Sequence, residues 1–71
     1  MTDEEFLKNL GQNIARKRKQ AGLSQTDLGF KCGMDRQNLS NIERGKKNIQ
    51  ALTVYRLAKE LEVEVWELMK F

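Results

Sequence analysis

Apolar residues recur along this chain at intervals of three and four, and glycines fall between the runs. Phe6, Leu7, Leu10 and Ile14 form one helical stripe. Thr2 precedes it as a cap, with Glu5 three residues later and acids filling the first turn. The basic run Arg16 to Lys19 suits the helix's negative end, and Gly22 followed by Leu23 reads as its stop. Ser24 and Asp27 open a short second helix, Gln25 to Cys32, closed by Gly33. Asp35 caps a third helix running to Arg44, with Gly45 after it. Val54, Leu57, Ala58 and Leu61 line a fourth helix, Ala51 to Leu61. A fifth, Glu64 to Lys70, carries Val65, Trp66, Leu68 and Met69. No strand period, repeat or linker interrupts the pattern, so residues 1–71 are expected to form one compact all-α domain of five helices.

The second and third helices are joined by a turn so tight that they must cross steeply. Gly29 supplies a residue with almost no side chain at the crossing, and Gly33 tolerates positive φ in the turn. Leu28, Cys32, Met34, Leu39 and Ile42 supply the facing apolar positions. Opposite Leu39 and Ile42, the third helix presents Gln37, Ser40, Asn41 and Arg44, with Arg36 and Asn38 on its flanks. That face bears amides, a hydroxyl and guanidinium groups and no carboxylate. In a major groove, Asn and Gln can pair with adenine and Arg with guanine. A helix-turn-helix reading double-stranded DNA is the expectation that follows.

Charge sharpens this picture. The chain's net charge is +3, yet Lys8 to Lys47 alone carries ten basic and three acidic residues. Acidic residues predominate outside that stretch, so one face can meet a polyanion. A mixed, solvated surface is the plainer reading of the charges alone. With no His and a single Cys, the chain offers neither zinc ligands nor a nucleophile–base pair, so no metal, cofactor or enzymatic activity is expected. Cys32 falls at a core position, where a small buried hydrophobe is a better description than a redox sensor. No apolar run reaches the roughly 20 residues of a membrane span, and no leader pattern opens the chain, so it reads as cytoplasmic.

The run Leu23-Ser24-Gln25-Thr26-Asp27-Leu28-Gly29, then Gly33, then Leu39-Ser40-Asn41-Ile42-Glu43-Arg44-Gly45-Lys46, resembles the Xre or lambda-repressor-like helix-turn-helix family. The likeness continues through Leu57-Ala58-Lys59-Glu60-Leu61 and Glu67-Leu68. Asp35-Arg36 with Ile42-Glu43-Arg44 also resembles the controller proteins of restriction-modification systems. The family resemblance implies a prokaryotic, sequence-specific regulator of transcription, a repressor or autoregulator, that binds a palindromic operator as a homodimer. It implies DNA contacts by Gln25, Arg36, Gln37, Asn38, Ser40, Asn41, Arg44, Lys46 and Lys47. It further implies an internal pair between Arg18 and Glu43, which spacing also suggests because Arg18 continues the Leu10–Ile14 stripe. Snorkelling of Arg18 to solvent is the alternative. Arg16 and Lys19 are expected near DNA.

Gly29 departs from the family's usual Ala, Phe30 and Leu52 stand where polar residues are usual, and Glu62 replaces a small residue at the end of the fourth helix. Trp66, Met69 and Phe71 either finish the core or form a dimer seam, with Leu52 and Tyr55 beside it. The exposed Phe30 and Leu52 keep a second possibility open: an interaction or antitoxin-like module on the same fold.

Overall fold

A computed structural model describes all residues 1–71. Five helices follow one another: α1 (Asp3–Gln20), α2 (Gln25–Lys31), α3 (Arg36–Glu43), α4 (Ala51–Glu60) and α5 (Val65–Leu68). α1 packs on α3 and α5, and α2 packs on α3 and α4. Eleven residues close the core; Leu10, Ile14, Leu28, Leu39, Leu57 and Leu68 are its largest fully buried side chains.

The helix starts are set by side chains. Thr2 and Glu5 exchange backbone bonds, as do Ser24 and Asp27, and the Asp35 carboxylate accepts from Asn38 N–H at 2.7 Å. Each box satisfies donors that the first turn leaves unpaired. These bonds hold the Glu5 and Asp27 carboxyls below the usual carboxylate range. The helix stops share another motif. After α1, α2 and α3 the chain turns through Gly22, Gly33 and Gly45 at φ +74°, +72° and +71°. After α4 the same turn is made by Glu62 at φ 58°, with Val63 N–H bonded to Ala58 O at 3.0 Å. A side chain in this left-handed conformation costs about 1–2 kcal/mol. Glu62→Gly is therefore expected to stabilise the domain by about 1 kcal/mol, raising its thermal midpoint by roughly 4–8 °C. Thermal unfolding followed by circular dichroism checks this.

The last helix is shorter than the sequence suggests. Only Val65–Leu68 is helical, not Glu64 to Lys70. The reason lies in a buried residue of α1 that sequence reading passes over. Asn13 donates through Nδ2 to the carbonyls of Leu68 (2.9 Å) and Lys70 (3.0 Å), fastening the chain where α5 ends. Its Oδ1 accepts from Arg16 Nη1 at 2.6 Å. Arg16 is thereby turned towards α5. α2, α3 and α4 each end one residue earlier than expected, with Cys32, Arg44 and Leu61 as caps.

Candidate nucleic-acid interface

Two close approaches seat α3, one against α2 and one against α1. A Cβ on Gly29 would sit 2.8 Å from the Met34 carbonyl oxygen, so the family's Ala would fit here only with a shift of the turn. The second approach involves Gly11 on α1. A Cβ there would sit 2.5 Å from the Glu43 carbonyl oxygen, inside any allowed contact. α1 can lie against the end of α3 only because residue 11 has no side chain.

Where α1 and α3 meet, Arg18 and Glu43 are both buried. Arg18 Nε lies 2.7 Å from Glu43 Oε2, and Nη2 lies 3.0 Å from Oε1. The third guanidinium nitrogen, Nη1, donates to the Leu23 carbonyl at 3.0 Å. Gln25, at the first turn of α2, donates from Nε2 to Glu43 Oε1 at 2.9 Å. One carboxylate thus ties α1, α2 and α3 together with a bidentate fork and an amide. Part of Gln25 is spent on this network, so a Gln25 contact to DNA has to use the amide atoms that remain.

The outer side of α3 is built differently. Arg36, Gln37 and Arg44 are exposed; Asn38, Ser40 and Asn41 are half-buried. Gln37 Nε2 donates to Asn41 Oδ1 at 3.2 Å, Arg44 Nη2 donates to the same oxygen at 3.1 Å, and Lys47 Nζ donates to Asn38 Oδ1. No free carboxylate interrupts the surface, because Glu43 is turned inward and the Asp35 carboxylate is held on its helix cap.

Gly45 then redirects the chain into the basic pair Lys46 and Lys47, both exposed. A Cβ on Gly45 would lie 2.7 Å from the Lys8 backbone, so the loop is pressed onto α1. The Lys8 backbone is thereby held against the residue that precedes Lys46. Nothing local in the sequence signals this, since the neighbours are nearly 40 positions apart. Lys19 is exposed at the end of α1.

A small helix with an uncharged-to-basic outer face, buttressed by a second helix across a glycine turn and flanked by cations, is the geometry of a groove-reading element. The helix-turn-helix family HTH_3 matches residues 14–67. The chain belongs to this family, the Xre or lambda-repressor-like helix-turn-helix proteins. At the level of the family, that is a DNA-binding regulator of transcription.

An uncharacterised HTH-type transcriptional regulator, y4dJ of Sinorhizobium fredii, is 40% identical over 65 residues, covering 92% of this chain and 84% of its own. The control protein C.BamHI of Bacillus amyloliquefaciens is 32% identical over 62 residues, covering 86% of this chain and 76% of its own. The crystal structure of the restriction-modification controller protein C.AhdI from Aeromonas hydrophila superposes with a TM-score of 0.84 at 37% identity, covering 87% of this helix-turn-helix chain and 94% of its own.

Proposed function

We propose that this chain is a sequence-specific transcriptional regulator that lays α3 in the DNA major groove and acts as a symmetric dimer. The observation that carries the reading is the outer face of α3, where Arg36, Gln37, Asn38, Ser40, Asn41 and Arg44 stand together without a free carboxylate. Lys8, Lys46 and Lys47 grip phosphates along its edge, and the amide atoms of Gln25 left free by Glu43 meet the backbone at the start of α2. Bound over a promoter, including its own, such a domain represses by occupying the site. It works in the bacterial cytoplasm, where the DNA is; no helix is long and apolar enough to cross a membrane.

Dimerisation is supported by apolar side chains that the monomer leaves uncovered. Trp66, Phe71, Leu52 and Tyr55 are all more than half exposed. Phe71 also stacks edge-on against Phe6, their centroids 5.4 Å apart. Met69, by contrast, packs against the core and contributes less to a seam. A domain measuring 31 × 23 × 20 Å fits a pairing that sets two α3 helices one DNA turn apart, roughly 34 Å, on a palindromic operator.

Base-reading and phosphate-gripping residues should separate in a binding titration. Lys8→Ala and Lys46→Ala are each expected to weaken all duplexes alike and to lower the slope of log K against log salt by about one. Gln37→Ala is expected to narrow the gap between a selected site and random duplex instead, by about 1–3 kcal/mol. If the lysine variants changed preference and Gln37→Ala did not, the assigned face would be wrong.

A restriction-modification controller is the narrower form of this reading, supported by the 37% identity to the C.AhdI controller. Phe30, 85% exposed on α2, favours a protein contact in addition to DNA.

A further inference from the structure

We propose that Asn41, and secondarily Asn38, read hydrogen-bond acceptors in the groove, so that guanine is preferred over adenine beneath them. This rests on the DNA-reading assignment of α3. It departs from the pairing that amide side chains ordinarily suggest. An Asn pairs with adenine by donating to N7 and accepting from N6, which needs a free carbonyl oxygen.

At Asn41 that oxygen is taken. Oδ1 accepts from Gln37 Nε2 at 3.2 Å and from Arg44 Nη2 at 3.1 Å, which uses both of its lone pairs. At Asn38, Oδ1 accepts from the Lys47 ammonium. The amide orientation is fixed by charge. Turning either amide over would point an NH2 group at a guanidinium or an ammonium, donor against donor, and lose a charge-assisted bond. In both residues Nδ2 makes no hydrogen bond within the chain, and both side chains lie half-exposed on the outer face.

What remains to be offered to DNA is therefore a donor-rich surface: Asn38 Nδ2, Asn41 Nδ2, Arg36 and the unspent nitrogens of Arg44. Guanine presents two adjacent acceptors, N7 and O6, whereas adenine presents N7 beside an amino group that would face these donors. Gln37 differs, because its Oε1 is not engaged, and it retains the option of adenine.

The test is selection of bound duplexes from a randomised pool, run with the parent protein, Asn41→Ala and Lys47→Met. The base pair whose preference disappears in Asn41→Ala is the one that Asn41 reads. There the parent is expected to take a G·C pair over an A·T pair by roughly fivefold or more. Where guanine is selected, 7-deazaguanine at that position should lose affinity. Lys47→Met frees the Asn38 carbonyl and should shift one neighbouring position towards adenine while weakening all sites. An A·T pair at the Asn41-dependent position, no position dependent on Asn41, or an unshifted profile in Lys47→Met would each overturn the inference while leaving DNA binding intact. A pool in which the parent enriches nothing would instead overturn the DNA-reading assignment.

Discussion

Glu43→Ala will take away a large share of the protein's stability. Removing one partner of a buried ion pair costs about 3–5 kcal/mol, because the other charge stays in a site that no longer solvates it. Here the stranded charge is Arg18, whose Nε and Nη2 both face Glu43. A 71-residue domain has roughly 4–11 kcal/mol to lose, at the usual 0.05–0.15 kcal/mol per residue. The bridging bond to Gln25 is lost as well, so the start of α2 loosens against α3. Denaturant titration should place the midpoint of Glu43→Ala far below that of the parent. The double variant Arg18→Met with Glu43→Leu should recover most of the loss, since a well-packed apolar pair can replace a buried ionic one. A Glu43→Ala protein of parental stability would mean that Arg18 escapes to solvent.

Gly11→Ala should also destabilise, against the usual helix propensities. In an exposed helix, Ala gains about 1 kcal/mol over Gly. At residue 11 the new Cβ would meet the Glu43 carbonyl oxygen at 2.5 Å and its carbon at 2.8 Å, backbone atoms that cannot rotate away. Forcing α1 from α3 costs about 1–3 kcal/mol or more and leaves the propensity gain in deficit. The displaced element is the helix proposed to read DNA, so affinity should fall together with stability. A denaturation midpoint equal to or above the parent's would show that the two helices can separate freely.

These two residues also mark where sequence reasoning stops. The caps at Thr2, Ser24 and Asp35, the glycine stops, and the inward sides of α3 and α4 were legible because each depends on neighbours within one or two helical turns. Gly11 was not, because its reason is a backbone 32 positions away. Asn13 has a polar side chain on a helical face, and only the fold reveals that it holds the carbonyls of Leu68 and Lys70. The same distance hides the packing of Gly45 on Lys8. On α3, the sequence indicates which residues face outwards, since periodicity determines that. It does not indicate which atoms of Asn38 and Asn41 remain free, because bonds to Gln37, Arg44 and Lys47 decide that. The length of α5 was over-read for a related reason: its apolar residues run to Met69, but the Asn13 latch ends the helix at Leu68.

The central claim, that α3 reads DNA in a cationic frame, is tested most directly by titrating the protein onto a selected palindromic duplex and onto random duplex at about 50 and 200 mM salt. Binding to both duplexes at low salt is expected, with a steep loss of affinity as salt rises and a preference for the selected site that persists. Arg36→Ala and Arg44→Ala together are expected to abolish that preference. Absence of binding at low salt, or binding that those two substitutions leave untouched, would contradict the claim.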